Sequence, residues 1–152
     1  MALNIVFMGT PLFAVPTLKS LYNSKHKILQ VYTQPPKKKN RGQKIKPSPV
    51  HEFCLKNEIK VKHPENLDDE TVSNYLKMLN PDVIVVTAYG KIIPKNILEI
   101  KKGRFINIHA SLLPKWRGAA PIHRSIMNLD KETGISIMQI IPELDEGPVM
   151  MQ

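Results

Sequence analysis

The sequence predicts an α/β fold of Rossmann-like type: an open, mostly parallel, twisted sheet with helices on both faces. Three observations predict it. Leu3 to Met8 is a short apolar run that passes at once into Gly9-Thr10-Pro11 and a helical segment, the strand–turn–helix opening of a parallel sheet. Asp82 to Thr87 is apolar through Val83-Ile-Val-Val86, as expected of a central strand covered on both faces. Segments with strand and helix character alternate along the chain instead of separating into blocks.

The elements follow in order. A helix is expected from Pro11, or from nearer Ala14 because of Pro16, to about Asn23, with Phe13, Leu18, Leu21 and Tyr22 on its inner face. Lys27 to Thr33 reads as the second strand. Pro47-Ser-Pro-Val50 opens a helix to about Asn57, with Val50, Phe53, Cys54 and Leu55 inward, and Ile59 to Val61 suits an edge strand. Asp68 or Asp69 can cap a helix to Met78 or Leu79, in which Val72, Tyr75, Leu76 and Leu79 fall at helical spacing. Pro94 starts a short helix to about Ile100. Arg104 to Ile108 is a further strand, and a helix follows from about Ala119 to Asn128. Thr133 to Ile141 alternates as a strand, Pro142 to Gly147 forms a loop, and Val149 to Gln152 enters another strand. The sheet is therefore expected to be incomplete at its C-terminal end.

A chain of 152 residues with 42% hydrophobic residues suits one domain with a real core. The single Cys54 allows neither an internal disulfide nor a Cys-rich zinc site, which fits a reducing, cytoplasmic setting. No metal site, signal peptide or membrane span is expected, and the protein reads as a monomer. Gly9-Thr-Pro11 lacks the later glycines of a dinucleotide fingerprint, and no acid follows the next strand, so NAD and FAD are set aside.

The formal net charge is +9, and Lys37, Lys38, Lys39, Arg41, Lys44 and Lys46 supply six positive charges with no acid among them. Pro35, Pro36, Asn40 and Gly42 are expected to keep this stretch a loop without regular structure. Such a run is commonly only a solvated loop. Its length inside a small domain also suits a functional loop, and phosphate neutralisation is the task that fits it.

Asn107 and His109 lie two apart at a strand end, so their side chains share one face. A carboxamide can donate to a developing oxyanion while an imidazole stabilises or moves a proton, the requirements of acyl-type transfer. The same pair also suits a buried Asn closing a turn beside a core His. In a parallel sheet, ligands sit beyond the carboxyl ends of the strands. That places Gly9–Pro11, Ala88–Ile93 and Asn107–Pro114 together, with Asp145 the best source of a carboxylate to orient the imidazole. Glu143 and Glu146 compete for that role. No convincing nucleophile is present, which favours direct transfer between two bound substrates.

Five segments carry a resemblance to a known family: Phe7-Met-Gly-Thr-Pro11; Thr33-Gln-Pro35 with Arg41-Gly42 and Pro47-Ser-Pro-Val50; Ala88-Tyr-Gly-Lys-Ile-Ile-Pro94; Asn107-Ile-His-Ala-Ser-Leu-Leu-Pro-Lys-Trp-Arg-Gly-Ala-Ala-Pro-Ile122; and Glu132 to Gln139 with Leu144-Asp-Glu-Gly147. On these the chain resembles the formyltransferases that use 10-formyltetrahydrofolate, most closely those acting on methionyl-tRNA. The resemblance implies a catalytic trio at Asn107, His109 and Asp145. It also implies folate contacts at Tyr89, Gly90, Lys91, Ile92 and Ile93 and at Ser111, Leu112, Leu113 and Pro114. It implies direct attack of the methionyl α-amine on the formyl carbon through a tetrahedral intermediate, in the service of translation initiation, with the Lys37–Lys46 stretch, Arg41 foremost, on the tRNA acceptor arm. Residues 1–152 would then be a truncated catalytic domain, without the family's C-terminal β-barrel that also grips tRNA. A folate-dependent formyltransferase with another acceptor, a formyl-folate hydrolase, and an RNA-binding module are the alternatives.

Overall fold

The computed structural model describes residues 1–39 and 44–152. In chain order the strands are β1 (Asn4–Gly9), β2 (Lys27–Tyr32), β3 (Lys37–Lys39), β4 (Lys44–Lys46), β5 (Val61–Lys62), β6 (Val83–Thr87), β7 (Phe105–His109), β8 (Ser136–Gln139) and β9 (Val149–Met151). The helices are α1 (Val15–Tyr22), α2 (Pro49–Lys56), α3 (Glu70–Leu79), α4 (Lys95–Ile100) and α5 (Pro121–Met127). Seven strands form one sheet in the order β5-β2-β1-β6-β7-β8-β9. The pairs from β5 to β7 are parallel, whereas β8 and β9 join antiparallel. The three strands whose ends were expected to converge, β1, β6 and β7, are consecutive neighbours.

Alternation along β1 explains the two cores. Ile5 and Phe7 pack on one face with Leu18, Val50 and Cys54, and Val6 and Met8 pack on the other with Leu76, Ile84, Ile97 and Phe105. Helices α1 and α2 therefore cover one face, and α3 and α4 cover the other. Capping follows the sequence signals. Ser48 Oγ accepts from the His51 N–H at 3.1 Å, and Asp69 accepts from the Thr71 N–H at 2.7 Å. The Thr71 hydroxyl and N–H together hold the Asp69 carboxyl below its ordinary range. Among the described residues no helix is long and apolar enough to cross a membrane.

The structure corrects several boundaries. Leu12–Ala14 is a separate 3₁₀ turn, so α1 begins at Val15 with Pro16 harmless in its first turn. Tyr22 and Leu55, both expected inward, are exposed; Tyr22 instead meets the Phe53 ring edge-on at 6.1 Å. The helix expected from Ala119 starts at Pro121 because Ala120 adopts a left-handed backbone. The strand expected from Thr133 narrows to β8, and Gly134 lies close against Leu112, where a Cβ would come 2.6 Å from a Leu112 methyl.

The basic stretch is also corrected. It contains an antiparallel ribbon, with Lys37 opposite Lys46, Lys38 opposite Ile45 and Lys39 opposite Lys44. Backbone pairing needs no side-chain complementarity, and the Lys-Ile-Lys sequence of β4 has a strand's alternation. The register sets Lys37 opposite Lys46, and like charges directly opposite weaken a strand pair. Arg41 lies outside the described residues.

Candidate active site

A cleft of roughly 700 Å³ opens at the carboxyl end of the parallel strands. Its walls are the loop after β6 (Ala88–Ile93), the end of β7 (Asn107–Ala110), the Gly118–His123 segment entering α5, and the Ile140–Asp145 loop after β8. Val86, Ile92, Ile93, Met138, Ile140 and Leu144 make much of the surface apolar. This size and character suit a small organic ligand with an apolar body and a few polar contacts.

Asn107, His109 and Asp145 meet in this cleft. Asn107 and His109 extend from one face of β7, and β8 fixes them in register by pairing with it through His109. His109 Nε2 lies 3.0 Å from the Trp116 carbonyl, which can only accept, so that nitrogen donates. Nδ1 faces Asp145 Oδ2 at 3.6 Å, beyond hydrogen-bond length but within ion-pair reach. Both ring nitrogens thus face oxygen acceptors. Asp145 Oδ2 also accepts from the Gly118 N–H at 2.8 Å, and Asp145 Oδ1 lies 3.4 Å from Asn107 Nδ2. Of the competing acids, Glu146 pairs with Arg117 at 3.3 Å. Glu143 is exposed at the rim.

Asp130 anchors this arrangement from behind. It accepts from Lys115 Nζ at 2.7 Å, Asn128 Nδ2 at 2.6 Å and the Trp116 indole N–H at 2.6 Å. These bonds, that from Lys115 foremost, hold its carboxyl down at about 2. A carboxyl depressed by folding contributes stability that is present above its unfolded value, near 4, and disappears as pH falls through about 2. Asp130→Asn is therefore expected to flatten the decline in thermal stability between about pH 4 and pH 2. An unchanged acid-melting profile would remove the anchor role.

The structure places Tyr89–Ile93 in the cleft wall. Tyr89 turns its ring into the core, where burial pushes its hydroxyl up to about 12. Lys91 Nζ is committed to the carbonyls of Pro64, at 3.0 Å, and Glu65. Ser111–Pro114 is not among the residues lining this cleft. Ser111 Oγ donates to the Lys115 carbonyl, while Ser136 Oγ donates to the Ser111 carbonyl at 2.7 Å and accepts from the Leu113 N–H at 3.0 Å. This turn holds the segment carrying Trp116.

Among the described residues lining the cleft none is Ser, Thr or Cys. Cys54 lies buried in α2, and burial pushes its thiol up to about 12. Sequence reasoning did not reach the Trp116 carbonyl, the Gly118 N–H, Asp130 or the apolar Ile140–Leu144 wall. Backbone groups leave no mark on a sequence, and Asp130 lies fourteen residues from the indole that it holds.

Known proteins place the chain. The formyl transferase family profile matches residues 3–152. A methionyl-tRNA formyltransferase of Pelagibacter ubique is 59% identical over 150 residues, covering 98% of this chain and 48% of that protein. One from Coxiella burnetii is 54% identical over 150 residues, covering 99% and 48%. The chain therefore spans about half the length of these curated relatives. In solved structures the fold recurs in a phosphoribosylglycinamide formyltransferase of Streptococcus pneumoniae, with TM-score 0.79, 19% identity and coverage of 100% of this chain and 81% of that one. It recurs again in a formyltetrahydrofolate deformylase of Pseudomonas syringae, with TM-score 0.74, 23% identity and coverage of 98% and 49%. With its profile match running almost from end to end, the chain belongs to the formyl transferase family.

Proposed function

We propose that the protein moves the formyl group of 10-formyltetrahydrofolate to the α-amino group of methionyl initiator tRNA. The observation that carries this reading is the meeting of Asn107, His109 and Asp145 in a largely apolar cleft lined, among the described residues, by no Ser, Thr or Cys. The donor's flat ring system suits the wall formed by Tyr89–Ile93 and Ile140–Leu144, and Ser111–Pro114 serves that site by fixing the turn behind it. Asn107 Nδ2 donates to the oxyanion that develops on the formyl oxygen when the amine attacks, and the positive charge of protonated His109 stabilises it. His109 then supplies a proton to the departing folate nitrogen. Asp145 orients His109, balances its charge and assists proton removal from the attacking amine. In this reading residues 1–152 belong to the catalytic domain of a protein whose curated relatives are about twice as long.

The full-length protein, given 10-formyltetrahydrofolate and charged initiator tRNA, is expected to yield N-formylmethionine. Formate released at the same rate with uncharged tRNA or water alone would mark a hydrolase and overturn the reading. RNA retention without either product would leave only a binding module.

The basic stretch Lys37–Lys46 is the proposed contact for the tRNA acceptor arm, with Lys37, Lys38, Lys39, Arg41, Lys44 and Lys46 as its charges. If all six meet phosphates, log affinity is expected to fall against log salt with a slope contribution of roughly −4, taking about −0.7 per single-strand contact. Replacing the six by Ser is expected to remove that contribution in filter-binding titrations. An equal slope in both proteins would leave the ribbon merely solvated.

A further inference from the structure

Gln34 stands at the base of the basic ribbon, yet its side chain turns to the cleft. Its Nε2 donates to the Tyr89 carbonyl at 3.0 Å and to the Gly90 carbonyl at 2.8 Å. Its main-chain N–H reaches Thr10 Oγ1 at 3.3 Å, and that hydroxyl donates to the same Tyr89 carbonyl at 2.7 Å. The loop after β6 is therefore gripped directly by Gln34 and again through Thr10. The fit depends on a bare backbone: a Cβ on Gly90 would lie 2.3 Å from Gln34 Nε2, and Gly90 has φ +78°. Ala88, on the other side of Tyr89, is also left-handed at φ 46°. Backbone of this kind persists only where its surroundings over-determine it. On the ribbon side, Pro35 and Pro36 separate Gln34 from Lys37. Their fixed φ angles make the connection a stiff spacer, so a displacement of the ribbon is carried to Gln34 more than it is absorbed.

We propose that Gln34 is a positioning residue that couples the basic ribbon to the donor-binding wall of the cleft. RNA held at the ribbon settles Gln34, and Gln34 settles residues 88–93, so the formyl donor binds more tightly when RNA is present. Linkage requires the reverse effect to have the same size. The proposal rests on the formyl-transfer reading and adds to it an order among the parts: the acceptor's arrival prepares the donor's wall.

The test uses the full-length protein with Gln34→Ala and Gln34→Glu. Glu keeps the shape but sets an acceptor against two carbonyls that need a donor. In hydrogen exchange without ligands, both variants are expected to exchange faster across residues 88–93 at an unchanged global melting temperature. Native protection of that loop in Gln34→Glu overturns the proposal whatever reaction the enzyme performs. In calorimetry with a non-hydrolysable 10-formyltetrahydrofolate analogue, charged tRNA is expected to tighten analogue binding to the unaltered protein several-fold. The variants are expected to bind the analogue about 5- to 150-fold more weakly, from the loss of two neutral hydrogen bonds, and to show no tRNA effect. Equal coupling in the variants, or none in the unaltered protein, also overturns it. Absence of N-formylmethionine from the unaltered protein refutes the reaction, whereas normal product formation with coupling intact in the variants refutes only the role of Gln34.

Discussion

Replacing Asp145 with Ala is expected to lower kcat for N-formylmethionine formation by about 10²–10⁴-fold, the range of a positioned acid–base group, while KM for the folate donor changes far less. One carboxylate here serves three neighbours: the Gly118 N–H at 2.8 Å, Asn107 Nδ2 at 3.4 Å and His109 Nδ1 at 3.6 Å. Removing it leaves a half-buried N–H without a partner and an imidazole held only through the Trp116 carbonyl. Asp145→Asn separates charge from shape. Its carbonyl oxygen can still accept from Gly118, but it cannot balance an imidazolium. An Asn variant with a native melting temperature and a kcat near that of Ala assigns the effect to charge; a kcat near the unaltered value would refute the role given to Asp145.

Asn107→Ala is expected to cost about 10²–10³-fold in kcat, equivalent to about 2.7–4 kcal/mol, the loss typical of one oxyanion donor. Asn107 sits mid-strand in β7, opposite Val86 on β6 and Met138 on β8. Its main chain is fixed by both neighbours and its side chain is only half-buried, so truncation leaves the sheet in place. Thermal unfolding is therefore expected to shift little while single-turnover formyl transfer slows. Near-normal turnover by Asn107→Ala would require another oxyanion donor.

The parallel sheet was legible because its strands are buried on both faces, which writes unbroken apolar runs such as Val83–Val86 into the chain. Asn107 and His109 were legible as a pair because a strand repeats every two residues. Asp145 could be picked out by chemistry, but its nearness to His109 depends on how the loop after β8 crosses the sheet. Buried Gly147 fixes that crossing, since a Cβ there would lie 1.9 Å from the Gln139 carbonyl. The ribbon was missed because prolines and lysines outweigh a three-residue alternation in any reading of local preference. Ser111–Pro114 shows the reverse difficulty: a distinctive segment places the site without revealing whether it faces the ligand or the scaffold.

Ala88, Trp116, Ala120 and Asp145 all take left-handed backbone conformations without being glycine, and each borders the cleft or supports it. A left-handed non-glycine residue costs about 1–2 kcal/mol. Glycine at Ala88 or Ala120 would relieve that strain in the folded chain while giving the unfolded chain more freedom. It would also let the site's walls wander. In the terms of protein engineering, the rim of the cleft is where thermostability and activity are set against each other, and stabilising changes belong on the far face with α1 and α2.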